Sequence, residues 1–406
     1  MAIKRSKSSK KGVLLFIGAG ASMGLGLPDT RAFMELLHKE VEERGRLNSE
    51  QKQFLTHIQH FIKKKENISL VDIEYVVNYL YNIQTFYKEF KEFFKISSRY
   101  TDVDKFLREA TELLAFIEQI LLEVYDVRSE DQTIKMAKEA YRPFITSALQ
   151  SADVLYTVTT NYDLVLDLVL DSICKEYKVA FIDGFSRDRE SKLNINQIKL
   201  SPKKKKSLVY LKLHGSIDWY LDGSIIRRLT PGTRPYIPRE KIFFYPPLYG
   251  KDPLKDESWS VYGEATKEIR KLYTKFEKIL EQVKTAIVIG FSFRDRSIND
   301  IFKKIQVRNF DLNIITFSKE EPYYEGSGYV ELKKTYGDNF IFKKFVFGKD
   351  TLSENKLLKY WNYREYREAQ KMSEIEEKII SDMTRKPIDN LLQSVESKQK
   401  QDNSKS

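Results

Sequence analysis

Short apolar runs alternate with longer amphipathic stretches along this chain of 406 residues. Five of the runs are rich in Val, Ile, Leu or aromatic residues and lack strict apolar–polar alternation, which is typical of strands buried on both faces. They are Val13–Ile17, Val154–Thr159, Leu208–Leu213, Ala286–Ile289 and Leu312–Phe317. Helical patterns cover residues 162–177, 261–284 and 297–307. This alternation predicts an α/β fold, with a Rossmann-like parallel sheet flanked by helices.

A long helical segment separates the first two runs. From about residue 32 to residue 150 no clear strand occurs, and apolar residues recur at helical spacing. One such series is Phe106, Ala110, Leu113, Leu114, Ile117 and Leu121. We therefore predict a large all-helical insertion, with the two strands far apart in sequence and close in space. Residues 220–256 are rich in Pro, Gly and Tyr, so we expect an ordered loop or small subdomain over the sheet's edge.

The ends of the chain differ from its centre in composition. Residues 1–12 are basic, and we expect them to be flexible. After residue 350 the pattern becomes helical and highly charged, so residues 351–393 are predicted to form a helical C-terminal extension. A polar tail, residues 394–406, is predicted to be disordered.

The net charge of +11 is concentrated in two short segments. Residues 1–12 and residues 199–206 each carry five Lys or Arg and no acidic residue, which accounts for +10 of the total. Such segments are compatible with solvated basic patches or with nucleic-acid contact. A DNA-binding face would more convincingly spread Arg and aromatic residues along one element. Nucleic-acid contact is therefore allowed by the charge and not required by it.

Composition also bears on compartment and metal content. No run approaches the roughly 20 apolar residues of a membrane-spanning helix, so no membrane partner is expected. Cys174 is the only cysteine, which excludes an internal disulfide and a cysteine-rich zinc site. We expect a cytoplasmic protein and no metal.

The segment after the first apolar run has the composition of a phosphate-binding turn. Gly18 permits a tight turn, and Gly20 lets backbone amides approach a pyrophosphate without an intervening side chain. Ser22 adds a hydroxyl donor. Glycines also end strands for purely structural reasons, so the motif by itself leaves nucleotide binding and a plain turn both open.

A second glycine follows the fourth apolar run. Gly290, Phe291 and Ser292 lie where the chain would turn away from the carboxyl edge of the sheet, the edge at which ligands of open α/β sheets bind. Ser292 could bind a phosphate or ribose. A strand-to-helix turn with Asp295 as the helix cap explains the same residues.

Two further strand ends carry polar residues that a turn alone would not require. Thr160, Asn161 and Asp163 follow the second run, and His214 follows the third. A histidine at the carboxyl edge of a parallel sheet is a candidate general base, whereas Asn161 and Asp163 are also ordinary helix caps. The other three histidines lie in charged helical stretches and are expected at the surface: His38, His57 and His60.

Taken in order, these motifs resemble the NAD-binding core of the sirtuin superfamily. The motifs are Gly18-Ala19-Gly20-Ala21-Ser22 with Leu27-Pro28-Asp29-Thr30-Arg31, then Thr159-Thr160-Asn161-Tyr162-Asp163, Leu213-His214-Gly215-Ser216 and Gly290-Phe291-Ser292-Phe293. The resemblance covers residues 13–31 and roughly 153–317, within a predicted domain of residues 13–350. It is greatest to the bacterial sirtuin-like NAD hydrolases of antiphage defence systems.

The resemblance implies a role for each motif. The residues from Gly18 to Ser22, which include Ala19, Gly20 and Ala21, would cradle the pyrophosphate of NAD. Asp29, Thr30 and Arg31 would lie near the nicotinamide ribose. Asn161, next to Thr160, would hold that ribose or an attacking water, and Asp163 would contact the nicotinamide amide. His214 would act as base on a ribose hydroxyl, and Gly290, Phe291 and Ser292 would bind near the adenosine.

The sequence departs from sirtuin deacylases at two points. Those enzymes usually have an aromatic residue where Thr30 stands, and they carry a four-cysteine zinc module that one cysteine cannot supply. We therefore expect an NAD glycohydrolase with NAD as its substrate. The alternatives are an NAD-dependent protein deacylase or ADP-ribosyl transferase, and a non-catalytic sensor of NAD or ADP-ribose.

The resemblance also implies regulation and partners. Unrestrained NAD hydrolysis would harm the host cell, so we expect gated activity that depletes NAD in antiphage defence. The helical insertion and the C-terminal helices are candidate surfaces for a homo-oligomer. A HerA-type ATPase partner is implied by the resemblance alone.

Overall fold

The chain divides into two units, Met1–Trp361 and Asn362–Ser406, and the fold described is that of the first. In the computed structural model the described residues are 12–43, 47–68, 71–95, 100–125, 127, 131–186, 191–200, 206–223, 225–229, 242–244, 264–322, 328–350 and 352–362. The basic N-terminal segment, most of the second basic segment and the predicted extension after residue 362 lie outside them.

Seven of the described strands form one parallel sheet. The strands are β1 (Val13–Ile17), β2 (Val154–Thr159), β3 (Ala180–Ile182), β4 (Ser207–Lys212), β5 (Gly215–Asp222), β6 (Ile225–Arg228), β7 (Ile242–Phe244), β8 (Thr285–Ile289), β9 (Asn313–Ser318) and β10 (Phe340–Lys344). The parallel sheet has the order β10-β9-β8-β1-β2-β4-β3. The predicted Rossmann-like α/β fold is confirmed.

Helices flank this sheet and fill the segment between its first two strands. They are α1 (Ala19–Met23), α2 (Thr30–Glu43), α3 (Ser49–Glu66), α4 (Ile73–Lys95), α5 (Tyr100–Tyr125), α6 (Gln132–Ser151), α7 (Val165–Tyr177), α8 (Glu264–Gln282), α9 (Arg296–Arg308), α10 (Tyr329–Tyr336) and α11 (Glu354–Trp361). Among the described residues between β1 and β2, all regular structure is helical, and β1 pairs with β2 as expected. No helix of the described residues is long and apolar enough to cross a membrane.

The apolar runs form strands because both faces of the sheet are covered. All five residues of β1 are buried, as are those of β8. On one face Phe16 packs against Phe276 of α8 and Phe302 of α9, with ring centroids 5.5 and 6.1 Å apart. On the other face α6 contributes Phe144, whose ring meets Phe317 at the end of β9 edge to face. Buried rings of this kind dominate the energetics of a core.

Two strands of the parallel sheet and most of a small second sheet were not predicted. β3 and β10 are the outermost strands, and their side chains are only partly buried, so their apolar runs are short. β5, β6 and β7 form a three-stranded sheet. The expected subdomain of residues 220–256 corresponds in part to this sheet, which begins earlier, at Gly215. The remaining residues of that segment lie outside the described ones.

The strand order places a topological switch point beside β1. From β1 the chain passes through the helical segment to β2 on one side, and it returns in β8 on the other side. Ligands of open α/β sheets bind outside the carboxyl ends of strands at such a point. The ends of β1, β2, β4 and β8 therefore define where a functional site is to be sought.

A matched pair of glycine substitutions tests how tightly the switch point is packed. Gly290 and Gly223 share a φ of +62°, but a Cβ at Gly290 would lie 2.1 Å from the Ala21 nitrogen, whereas one at Gly223 meets nothing within 4 Å. Gly223→Ala should lower the free energy of unfolding by about 1–2 kcal/mol, from backbone strain alone. Gly290→Ala should cost at least about 2 kcal/mol more, because backbone must move. Urea denaturation measures both, and equal losses would contradict the packing.

Candidate active site

The turn after β1 is held against the turn after β8 by backbone contacts. The Gly18 N–H donates to the Ile289 carbonyl and the Gly20 N–H to the Gly290 carbonyl, both at 2.9 Å. A Cβ at Gly18 would lie 2.7 Å from the Gly290 carbonyl oxygen, so only glycine fits there. The Ala21 N–H donates to the Gly18 carbonyl at 3.1 Å. Three amides of the predicted pyrophosphate cradle thus already have protein acceptors, and the phosphate contact of this loop stays a prediction.

Ser22 connects the β1 turn to the polar residues after β2. Its hydroxyl donates to the Asp163 carboxylate at 3.0 Å and accepts from Asn161 Nδ2, also at 3.0 Å. All three side chains are buried. The structure therefore brings together three residues that the sequence placed in two separate motifs, and it does so through a chain of hydrogen bonds.

The same contacts fix the orientation of Asn161. Its Nδ2 also lies 3.4 Å from the Gly18 carbonyl, and because a carbonyl can only accept, the amide nitrogen must face that way. The side-chain oxygen then faces away from Ser22. This buried Oδ1 has no hydrogen-bond partner among the described residues. A buried acceptor without a donor is unfavourable, so it marks a position that a ligand group could satisfy.

Asp163 is a buried carboxylate with a shifted pKa. Burial raises the pKa of Asp163, and the hydrogen bonds from Ser22 and from the Val165 N–H, together with the charge of Lys212, oppose the rise. Asp163 does not cap α7, because the N-cap is Leu164; the bond from Val165 instead closes a turn just before the helix. Burial and the nearby charges of Asp163 and Asp29 raise the pKa of Tyr125, so both carboxylates lie near α5.

Lys212 lies under this turn and was not predicted as a site residue. Its ammonium group is buried and donates to the Asp163 backbone carbonyl at 2.6 Å and to the Asp167 carboxylate at 2.7 Å. Tyr210 donates to the same Asp167 oxygen. The signal in the sequence is a lysine inside an otherwise apolar run, two residues before His214. A buried lysine of this kind requires fixed partners, and here they attach the Asn161 turn to α7.

His214 follows β4 and is nearly inaccessible, with 2 % of its surface exposed. Its Nε2 lies 3.0 Å from Oδ2 of Asp295, which is also buried. Because a carboxylate accepts, Nε2 carries the proton and Nδ1 presents a lone pair when the ring is neutral. Nδ1 is buried without a partner among the described residues. The Tyr162 ring lies beside it, with centroids 6.1 Å apart.

The residues after β8 link the site to the helical segment. Arg294 donates to the Asp72 carboxylate next to α4, to the Thr30 hydroxyl at 2.8 Å and to the Ser292 hydroxyl at 3.3 Å. Asp72 is almost fully buried, so its charge needs this partner. Ser292 is thereby placed beside a cation at the switch point. Neither Arg294 nor Asp72 was singled out in the sequence, because neither belongs to a motif.

The remaining predicted residues lie around this centre. Asp29 caps α2, with its Oδ1 accepting from the Arg31 and Ala32 amides at 3.0 and 2.8 Å. The Arg31 side chain is exposed. The Thr160 amide donates to the Ile17 carbonyl at 3.3 Å, which joins the ends of β1 and β2.

The other three histidines lie on α2 and α3, in the helical segment. His57 and His60 are exposed, as expected, and His38 is half-buried against Gln59. Among the described residues no group of three or more His, Cys, Asp or Glu side chains could hold a metal ion.

Part of the chain is similar to a known protein family. Residues 156–334 match the model of the SIR2-like domain. The match includes Asn161, Asp163, His214 and Ser292, and it begins after the β1 turn and the helical segment. No curated protein matches the chain. These residues are similar to the sirtuin-like superfamily, and SIR2-like domains in general are NAD-dependent enzymes that use NAD as a substrate.

The raised pKa of Asp163 predicts a pH-dependent stability difference. The folded chain holds this proton more tightly than the unfolded chain, whose carboxyl has the ordinary value near 3.8. The free energy of unfolding of the wild type, minus that of Asp163→Asn, should therefore fall as the pH rises from about 4 through the raised pKa. Urea denaturation across this range measures the difference.

Glu176→Gln is the control, because hydrogen bonding and the charge of Arg142 lower the pKa of Glu176. The free energy of unfolding of the wild type, minus that of Glu176→Gln, should rise as the pH rises through the lowered pKa. A difference that falls with pH in both variants, or in neither, would contradict the assigned environments.

Proposed function

We propose that this domain cleaves NAD to nicotinamide and ADP-ribose, with Asn161 and His214 at the reacting ribose. The observation that carries the proposal is a pair of buried atoms, Asn161 Oδ1 and His214 Nδ1, that have no hydrogen-bond partner in the part of the chain that the structure describes. They follow neighbouring strands, since β2 pairs with β4 up to Thr159 and Lys212. Each unsatisfied buried group costs about 1–3 kcal/mol, so a ligand that supplies donors to both would be favoured. Ribose hydroxyls have this chemistry.

The reaction breaks the bond between C1′ of the ribose and the nicotinamide nitrogen. Nicotinamide leaves as a neutral molecule from a cationic ring, and the sugar acquires oxocarbenium character, as in glycoside hydrolysis. Such a reaction needs an oriented sugar, a positioned water and stabilisation of developing positive charge. Asn161 Oδ1 would accept from the ribose or the attacking water, and His214 Nδ1 would accept a hydroxyl proton. The buried carboxylate of Asp163 lies behind Asn161.

The remaining contacts with NAD follow from the resemblance. Gly18, Ala19, Gly20, Ala21 and Ser22 would lie at the pyrophosphate, with Asp29, Thr30 and Arg31 at the nicotinamide ribose and Gly290, Phe291 and Ser292 near the adenosine. The Ser22 hydroxyl already has Asp163 as its acceptor, so its contribution would include orienting Asn161.

Two features favour hydrolysis over transfer to an acyl-lysine substrate. Thr30 stands where deacylases place an aromatic residue, and its hydroxyl is held by Arg294. Cys174 is buried and is the chain's only cysteine, so no four-cysteine module borders the site. Water is then the acceptor that requires no further binding cleft.

We also propose that the activity is gated and serves antiphage defence through NAD depletion, in a homo-oligomer or with a partner such as a HerA-type ATPase. The support for this role is the sequence resemblance. The contact of Arg294 with Asp72, next to α4, supports this proposal. Through that contact, a shift of the helical segment would displace the turn after β8.

The direct test is to incubate the purified chain with NAD and resolve the products by chromatography. Wild type should release nicotinamide and ADP-ribose in equal amounts, and Asn161→Ala and His214→Ala should each lower kcat by at least about 10²-fold. His57→Ala is the matched control, because His57 is an exposed histidine on α3 and should leave the rate unchanged.

Full activity in folded His214→Ala would refute the assignment. Labelled acceptor protein or acetyl-ADP-ribose would instead indicate a transferase or deacylase. Thermal stabilisation by NAD without nicotinamide release, with any candidate partner present, would indicate a sensor.

A further inference from the structure

Asp295 makes two different contacts with its two carboxylate oxygens. Oδ1 accepts from the Ile298 N–H at 3.2 Å and caps α9, and Oδ2 lies 3.0 Å from His214 Nε2. A cap needs only the first contact. The second joins residues 81 positions apart and is buried from solvent on both sides.

The turn that carries Asp295 is strained and held from several directions. Phe293 has a φ of +57°, a left-handed conformation that costs a bulky residue about 1–2 kcal/mol. Its carbonyl accepts from the Gly328 N–H at 2.8 Å and from Asn299 Nδ2 at 2.7 Å. Arg294, the next residue, is anchored to Asp72 and Thr30. Strain that is maintained by so many surrounding contacts is characteristic of functional turns.

We propose that Asp295 is a positioning residue that fixes the tautomer and ring orientation of His214, an inference that rests on the proposed NAD hydrolysis. By accepting a hydrogen bond from the Nε2–H, the carboxylate leaves the Nδ1 lone pair free to face the substrate. A buried Nδ1 without a partner among the residues that the structure describes is the consequence expected of this arrangement. The sequence pattern suggested only the helix cap for Asp295.

The proton balance of this step is simple. The C1′–N bond breaks with its electron pair leaving on nicotinamide, and water forms the new C1′–O bond. The water, directly or through a ribose hydroxyl of NAD, gives one proton to His214 Nδ1, and this proton passes to solvent after the products form. The imidazole becomes an imidazolium, whose positive charge lies beside the Asp295 carboxylate. Asp295 itself neither gains nor loses a proton, and no oxidant or reductant is involved. The carboxylate therefore favours the charged form of the ring that the transfer generates.

Two substitutions separate this role from helix capping. Asn and Ser both cap helices about as well as Asp, so α9 should stay capped and the protein folded in Asp295→Asn and Asp295→Ser, with only the buried contact to His214 lost. Asn removes the charge and can offer Nε2 a donor, while Ser is too short to reach the ring. Both should lower kcat about 10²-fold or more with a much smaller change in KM for NAD. Asp295→Glu keeps the charge, so its kcat should lie between those of Asp295→Asn and the wild type.

The matched control is Asp131→Asn, which removes a carboxylate from the N-cap of α6, where the side chain makes no capping hydrogen bond. It should leave kcat and KM unchanged. If Asp295→Asn is folded and keeps kcat within about twofold of the wild type, Asp295 is only a cap and the proposal is wrong.

A spectroscopic readout tests the proposal without relying on turnover. The chain has four histidines, so ¹⁵N-histidine NMR with His214→Gln as the assignment variant isolates the His214 ring. At about pH 9, where an ordinary imidazole is neutral, wild type should show the Nε2–H tautomer. Asp295→Asn should shift the population toward Nδ1–H. The same tautomer population in both proteins would overturn the proposal.

Kinetics and histidine NMR together distinguish failure of the proposed NAD hydrolysis from failure of the proposed positioning role of Asp295. A wild type without NAD hydrolysis, with any candidate partner present, would contradict the proposed function, and the tautomer of His214 would still decide whether Asp295 positions the ring. Active wild type with an active Asp295→Asn variant would contradict the positioning role alone.

Discussion

The turn after β1 lies backbone to backbone on the turn after β8, and the candidate site depends on that contact. Two hydrogen bonds, from Gly18 to Ile289 and from Gly20 to Gly290, hold the turns at a separation that leaves no room for a Cβ. Ser22 leaves the first turn and reaches Asn161. The second turn continues to Asp295, which reaches His214. If the two backbones moved apart, the hydrogen bonds of Ser22 with Asn161 and of Asp295 with His214 would be displaced together.

The site is also a place where the chain buries charge. Asp163 and Lys212 lie inside the protein, where an isolated charge would be very unfavourable. They are tolerated because each has fixed partners: Lys212 donates to Asp167 and to the Asp163 backbone, and the Asp163 carboxylate accepts from Ser22 and Val165. Burial still prevails over these partners at Asp163, since its pKa is raised. Apolar residues of similar volume would often be no less stable, so the network favours a functional explanation.

The helical segment between β1 and β2 takes part in the site. Asp72 pairs with Arg294, and the Tyr125 hydroxyl donates to the Pro28 carbonyl at 2.9 Å, just before α2. Tyr125 also stacks on Phe33 of α2, with ring centroids 5.9 Å apart. These contacts attach α2, α4 and α5 to the loops that border the switch point. A partner that displaced these helices would act on Arg294 and hence on the turn that positions Asp295.

The sequence by itself determined the α/β class, the five central strands and the polar residues at their ends, including Asn161 and His214. It could do so because burial on both faces leaves a continuous apolar run, and because a polar residue directly after such a run is conspicuous. The edge strands β3 and β10 leave only short apolar runs, since they are only partly covered. Only the tertiary structure decided the pairing of His214 with Asp295 and of Arg294 with Asp72, 81 and 222 positions apart. Local patterns report how one segment is buried, whereas these bonds depend on which strand ends the docked glycine turns bring together.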